Sequence, residues 1–343
     1  MERVLEIGQV AAGYCGRMFA HAGADVVRIG GRAQPAWVSE QAMSLYLHAG
    51  KRYVETTDLG LIGDLAARAD VVICEARTAD ELIELGFDNW CTPVKLALTP
   101  FGRTGPKRNW RATANVILAM GGYTNLMGDA DRSPLSLPGH YVEFQTAAMG
   151  YAAANACRLA RQSNEIDVSM LETLMALSQF TTVRWHCAGE LRTRHGSDFW
   201  FVVPSNLFAC QDGWVYLNIV PAFWDPLTVF LNKPEMLIDE RFASNDSRMT
   251  NRDALHEIAA EVLAGLGKAD IESRAEACRI PLGVVQTFED VLADKHLAER
   301  DFWEGVVLPD GSLVKSPSSP YRINGAARKT RSPQTPVSAT GVW

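Results

Sequence analysis

The chain lacks the spacings that hold metals and staple small folds. It has no Cys-x-x-Cys pair, and its seven histidines form no His-x-His or His-x-x-x-His pair, so zinc and other metal chemistry is not expected. The seven cysteines (15, 74, 91, 157, 187, 210 and 278) are odd in number and unpatterned, which fits reduced thiols in the cytoplasm better than a disulfide framework. No apolar run approaches the roughly 20 residues a membrane helix needs. The start, Met1-Glu-Arg-Val-Leu5, has no basic segment leading into an apolar core, so no signal peptide is expected. Positive charge is also short. A net charge of −7 argues against nucleic acid or an anionic membrane as partner and leaves an anionic ligand only a local basic pocket. Gly-x-Gly-x-x-Gly is missing too: Gly8, Gly13 and Gly16 are spaced differently, and the second predicted strand ends in Gly30-Gly31-Arg32 where a ribose-binding acid would stand.

What remains is an ordinary globular composition, 47% apolar and 21% charged, over 343 residues, a length that suggests two domains or one large domain with an insertion. Val4–Ile7 reads as a strand running into a glycine turn, followed by a helix over 17–24 and a strand over 26–29. Strands then alternate with helices to about residue 100: a strand from Gly50, a helix over 59–68, a strand over 70–74, a helix over 79–85 and a strand over 95–98. That alternation predicts a doubly wound α/β sheet, with ligands beyond the carboxyl ends of its strands. Arg28, Arg32, Lys51, Arg52 and Arg77 fall near strand ends, where they could meet phosphates; for any single one of them a solvated charged rim is the better explanation. Thr99–Pro106, with two glycines and two prolines, reads as a shaped loop carrying Arg103, with Lys107 just beyond it. An Ala-rich helix over 141–161 has Glu143 in its first turn.

The period changes from two to 3.6 within Glu165–Leu177. Ile166 and Val168 alternate as in a strand, Met170, Leu171, Leu174 and Met175 recur as in a helix, and Ser169 with Glu172 reads as a capping box. Asp167 stands at the joint. By position alone it is one more acidic residue ahead of a helix. Beyond about residue 187 the pattern becomes α+β: a hairpin closed at Gln211-Asp212-Gly213, helices over 224–231, 252–266 and 269–278, and a strand over 280–285. A second hairpin closes at Asp310-Gly311, and the tail past Pro317 reads as loop.

Several of these stretches, in order, resemble the class III CoA-transferases (CaiB/BaiF family). They include Ala22-Gly-Ala-Asp-Val-Val27, Gly50-Lys51-Arg52, Ala69-Asp-Val-Val-Ile73, Phe101-Gly-Arg-Thr-Gly-Pro106, Ala119-Met-Gly-Gly122, Ile166-Asp-Val-Ser-Met170, Asp239–Asn245 and Ile280-Pro-Leu-Gly283. The resemblance implies an α/β fold with a Rossmann-like large domain made from both chain ends (1–190 plus 305–343), a smaller α+β domain (191–304), and an obligate homodimer of interlocked rings. It implies CoA and acyl-CoA as substrates with a carboxylic acid as acceptor, and no permanently bound cofactor. Asp167 takes the position of the family's nucleophile, passing through an aspartyl–acyl anhydride and an aspartyl–CoA thioester. Arg28, Lys51, Arg52, Arg77, Arg103 and Lys107 are the cations available for the CoA phosphates. His140 and Glu143 are candidate acid/base or substrate contacts.

The chain departs from the family pattern in ways that keep other readings open. The run Asn218–Trp224 is bulky where a Gly-rich loop is usual, and Ala112-Thr113-Ala114 replaces the motif whose histidine serves the related racemases. Acyl-CoA epimerase or isomerase chemistry is one alternative, and a CoA-binding subunit that needs a partner in a hetero-oligomer is another. Phe199, Trp200, Phe201, Phe223 and Trp224 are candidate walls for a bulky acid, with ordinary packing equally able to explain them.

Overall fold

The computed structural model describes residues 1–31, 41–308, 310–329, 332–338 and 341–343, so Arg32 lies outside the described residues. The chain divides into two compact units. One comprises residues 1–124, 136–192 and 295–343, and the other residues 125–135 and 193–294.

The larger unit is built on parallel strands β1 (Arg3–Ile7), β2 (Asp25–Gly30), β3 (Arg52–Glu55), β4 (Val71–Glu75), β5 (Val94–Thr99) and β6 (Asn164–Ser169), side by side in the order β3-β2-β1-β4-β5-β6. The connecting helices are α1 (Val10–His21), α2 (Gln41–His48), α3 (Leu59–Arg68), α4 (Ala79–Glu84), α5 (Ala114–Met120) and α6 (Tyr141–Leu159); α7 (Met170–Leu177) and α8 (Gln179–Ala188) follow β6. Strand side chains alternate between two cores. Val4, Val71, Ile73, Leu96 and Leu98 meet Ala11, Cys15 and Phe19 of α1 and Val142, Ala147 and Ala154 of α6. Leu5, Ile7, Val27, Ile29, Val72, Cys74 and Ala97 meet Ile62, Leu65 and Ala66 of α3 and Leu82 of α4. Both faces of the strands are therefore apolar, as a parallel sheet covered on both sides requires.

α1 begins seven residues earlier than the sequence pattern suggests and takes Gly13 and Gly16 into its body. Their missing side chains explain why. A Cβ on Gly13 would stand 3.3 Å from Leu47 Cδ1 and His48 Cε1, and one on Gly16 only 1.9 Å from Glu6 Oε2. These glycines buy close packing, which outweighs their poor helix propensity.

The smaller unit has its own core. Strands β7 (Ser205–Cys210), β8 (Gly213–Asn218) and β9 (Leu282–Val284) form an antiparallel sheet, with Phe208, Val215 and Leu217 packed on Leu227, Phe230, Leu255, Ala259 and Ile271 of its helices. The stretch 234–250, between the predicted helices over 224–231 and 252–266, contains short helical turns at Pro234–Leu237, Glu240–Phe242 and Asn245–Thr250.

The last segment returns to the larger unit. A hairpin of β10 (Trp303–Val307) and β11 (Leu313–Pro317) precedes the two-residue strands β12 (Arg322–Ile323) and β13 (Ala326–Ala327), and then β14 (Thr335–Pro336). β14 pairs with β3 in parallel and becomes the edge of the main sheet. The tail is therefore not simply loop. A two-residue strand containing proline carries no readable period, and proline is acceptable on an edge.

Candidate active site

The carboxyl ends of all six strands converge on one cleft of about 410 Å3. Its walls come from the residues that follow them: Gly8 and Gln9 after β1, Gly31 after β2, Thr57 after β3, Ala76 and Arg77 after β4, Pro100 after β5 and Met170 after β6. The strand order reverses direction between β1 and β4, the position where open α/β sheets hold ligands. There the backbone after β1 nearly touches the end of β4. Gly8 has φ +148°, and a Cβ on it would lie 2.5 Å from Glu75 Cβ, so no side chain fits.

Glu75 is the chemical feature of this inner wall. Its Oε2 accepts the Gln9 N–H (2.8 Å) and the Ala12 N–H (2.9 Å). Burial nevertheless pushes its carboxyl up to about 7; the backbone donors pull the other way, and the nearby Glu143 carboxylate adds to the rise. Glu143 Oε2 is buried without a partner among the described residues, while its Oε1 is 3.6 Å from His140 Nδ1. The structure thus brings His140 and Glu143 together and adds Glu75. Sequence reasoning passed over Glu75, although a lone acid closing the apolar strand Val71–Cys74 at its carboxyl end was a usable signal.

Asp167 lies at the outer end of the same row of strand ends, on β6, opposite Ala97 of β5. Pro100 and Met170 bring the cleft to this junction, and Leu171 N–H donates to Pro100 O (3.1 Å). Ser169 caps α7 by accepting the Glu172 N–H (3.3 Å). Asp167 is exposed. Its Oδ2 accepts the Arg103 N–H at 2.8 Å, and its other oxygen accepts no hydrogen bond among the described residues. Gly102, at φ +83°, brings bare backbone against it: a Cβ there would stand 3.5 Å from Oδ2 and 3.9 Å from Glu172 Oε2. Thr99 Oγ1 accepts the Gly102 N–H (2.9 Å) and closes the turn.

The six candidate cations have different surroundings. Lys51 is 1% exposed and pairs with Glu6 Oε2 (2.5 Å) and Gly13 O (2.7 Å), and burial lowers its ammonium to about 8. Arg28 is half-buried, with a charge that opposes those of Lys51 and His48. Arg52 grips Asp25 with two nitrogens. Arg103 pairs with Asp88 and Glu165 and lies 5.0 Å over the Phe87 ring. Arg77 is exposed, borders the cleft and pairs with Glu81 (3.3 Å). Lys107 is half-buried, with its ammonium 4.4 Å over the Trp110 ring. In the smaller unit Trp224 is a core residue under Arg248 (3.8 Å to the ring), whereas Phe199 and Phe201 are exposed. Among the described residues no His, Cys, Asp and Glu cluster suits a metal ion, and no helix is long and apolar enough to cross a membrane.

A parallel sheet with an exposed carboxylate on its outer strand and a shaped glycine turn against it defines an open α/β class with its site at the strand ends, and comparison with known proteins makes the class specific. The profile of CoA-transferase family III matches residues 2–338, and the chain belongs to that family. It is 28% identical over 343 residues to the succinyl-CoA:mesaconate CoA-transferase of Haloarcula hispanica, a match covering 90% of this chain and 85% of that one. It is 26% identical over 339 residues to the succinyl-CoA–D-citramalate CoA-transferase of Chloroflexus aurantiacus, covering 91% and 84%. The fold matches a CaiB/BaiF family protein from Brucella suis with a TM-score of 0.84 at 23% identity, covering 98% of this chain and 95% of that one. The protein is an enzyme of this family.

Proposed function

We propose that the protein transfers CoA from an acyl-CoA donor of the succinyl-CoA type to a carboxylic acid acceptor, with Asp167 as nucleophile. One observation carries the reading: an exposed carboxylate in the second half of β6, separated from α7 by two residues, with one oxygen held by a backbone N–H and the other left to react. An Asp167 oxygen attacks the thioester carbon; the C–S bond breaks and CoA leaves as thiolate, giving an aspartyl–acyl anhydride. The thiolate attacks the aspartyl carbonyl of that anhydride, forming the aspartyl–CoA thioester and releasing the donor acid as its carboxylate. The acceptor carboxylate then repeats the two steps in reverse. Each step exchanges one nucleophile for one leaving group, so no net proton moves. A carboxylate is a weak nucleophile, so the site must supply proximity and a fixed aim, which the Gly102–Arg103 turn offers.

The larger unit serves as the CoA-binding domain, and its strand order supports a Rossmann-like description. Arg77 and Lys107 are the cations we assign to the CoA phosphates. Arg77 is exposed on the cleft with only the solvent-facing i,i+4 pair to Glu81, and Lys107 pairs with no carboxylate among the described residues. Lys51, Arg52 and Arg103 are instead tied to carboxylates of other elements. α8 leaves Phe180, Val183 and Trp185 exposed, which supports their burial in a homodimer of the interlocked type. Seven free thiols fit the cytoplasm.

The test is mass spectrometry of the protein after exposure to succinyl-CoA, with hydroxylamine as trap. The Asp167 peptide is expected to carry the hydroxamate, and Asp167→Asn to lose transfer by about a thousandfold or more. Transfer that continues with Asp167 unmodified rejects the mechanism. The neighbouring carboxyls Glu75 and Glu143 favour a second reading, α-proton transfer at a bound acyl-CoA. It requires deuterium wash-in at the α-carbon without any acceptor acid.

A further inference from the structure

Arg103 attracts attention first as a cation for phosphate, but its surroundings point elsewhere. The guanidinium bridges two carboxylates from different elements: Asp88, in the turn after α4, and Glu165, on β6 two residues before Asp167. Below it lies the ring of Phe87, which is fully buried and also carries the Lys95 ammonium 5.1 Å from its centroid. Lys95 joins the same group through Glu165 Oε2 (2.9 Å) and the Phe87 carbonyl (3.1 Å). Two cations thus meet two carboxylates around one aromatic ring, a balanced quartet with no positive charge left over for a phosphate. The backbone of the same Arg103 donates the N–H that holds Asp167 Oδ2. The side chain and the N–H of one residue therefore act on the same strand, at Glu165 and at Asp167.

We propose that Arg103 is a positioning residue for the aspartyl nucleophile: its side chain, fastened to Asp88 and Glu165 over Phe87, fixes the turn from Thr99 so that its own N–H and the bare face of Gly102 aim Asp167. The proposal rests on the reading of Asp167 as nucleophile. A planar guanidinium suits the task because its rigid fork meets two carboxylates in fixed directions over a ring, whereas an ammonium is a point charge on a flexible stem. Loss of the fork leaves the turn tied at its near end alone, through Thr99 Oγ1 and the Leu171 N–H on Pro100 O, and Asp167 then samples orientations that do not reach a thioester carbon. A small misplacement of a reacting group is enough to cost about a hundredfold in rate.

Three variants of the full chain test this: Arg103→Gln, Arg103→Lys, and the pair Asp88→Asn with Glu165→Gln, which removes the carboxylates and leaves the arginine. Three readouts apply to each: the rate of Asp167 labelling at saturating succinyl-CoA, the Kd for free CoA, and amide hydrogen exchange across residues 100–104. Arg103→Gln and the carboxylate pair are each expected to slow labelling by ten- to a hundredfold and to speed exchange of the turn by tenfold or more, with CoA affinity within twofold of the parent. Combining them should add little, because they break one linkage. Arg103→Lys should recover only part of the rate. A tenfold weaker Kd for CoA with labelling at saturation intact would make Arg103 a phosphate ligand and overturn the proposal. If the parent protein itself is never labelled at Asp167, the nucleophile reading fails separately. Exchange then decides the positioning role: unchanged protection of residues 100–104 refutes it, and lost protection upholds it.

Discussion

At the scale of single residues, two buried charges govern how the larger unit tolerates change. Lys51 and Glu6 form an ion pair within the packing of α1 and α2, and Gly16 exists to make room for it. Such a pair contributes little net stability, but removing one partner strands the other. Lys51→Met should therefore lower unfolding free energy by about 3–5 kcal/mol, whereas Lys51→Met combined with Glu6→Gln should recover much of the loss. Urea denaturation of the two variants checks this; equal losses would show that the charge on Glu6 is not what Lys51 satisfies. Glu75 gives a pH signature instead. It takes up its proton near pH 7 in the folded chain and near its ordinary 4.5 when unfolded. Between these values the folded state holds the extra proton. This contribution to stability is therefore full below about pH 4.5 and is lost as pH rises toward 7, with a slope of at most about 1.4 kcal/mol per pH unit. Glu75→Gln keeps the acceptor for the Gln9 and Ala12 N–H groups and should flatten that slope. Thermal melts from pH 4.5 to 8 with an unaltered slope would assign the dependence to other groups.

At the scale of elements, the junction from β6 to α7 is defined by local rules and stands almost independent of what surrounds it. The change of period, the Ser169 cap and the first helical residue all follow from nearest neighbours, and the helix starts where they predict. Ser169→Ala should cost about 1 kcal/mol through loss of the cap, measurable as a lower urea midpoint. No change would mean that packing of Met170 and Leu174 holds the helix start unaided. The same local logic made the β-α alternation over residues 1–100 legible, because each strand is an apolar run and each helix carries a stripe. It failed where tertiary packing overrides propensity. Gly13 and Gly16 look like turn residues until Leu47, His48 and Glu6 are placed beside them. For the candidate site, Asp167, His140 and Glu143 were legible as types in position, while the partners of the cations were not. Asp88 is 15 residues from Arg103 and Glu165 is 62 away, so no sequence window joins them. Glu75 was missed for a related reason: its raised proton affinity comes from burial and from Glu143, neither of which spacing reveals.

At the scale of the whole molecule, the larger unit is closed by residues that come last in the chain. Arg17 of α1, 1% exposed, pairs with Glu304 of β10 and donates to Pro317 O (2.7 Å), so the first helix and the penultimate hairpin share one buried contact. Further on, Thr335 N–H donates to Lys51 O (2.9 Å) and Val337 N–H to Tyr53 O (3.0 Å), which lays β14 along β3. Val342 is fully buried in the core under α3, and Trp343 Nε1–H donates to Asp25 Oδ2 (2.9 Å), the carboxylate that also holds Arg52. These contacts make the tail part of the fold. Deleting residues 333–343 re-exposes the edge of β3, opens the space of Val342 and leaves the Asp25–Arg52 pair more solvated. Burial of one valine side chain is worth roughly 2 kcal/mol, and the lost edge pairing adds to it, so the truncated chain should be less stable by about 3 kcal/mol. Because β3 adjoins the strands whose ends line the cleft, the loss should also appear as faster hydrogen exchange in β3, ahead of β1 and β4 at the centre of the sheet. Urea unfolding and exchange measured on the same truncated protein check both parts. A truncated chain as stable as the parent, with β3 still protected, would show that the tail merely lies on a sheet already complete without it.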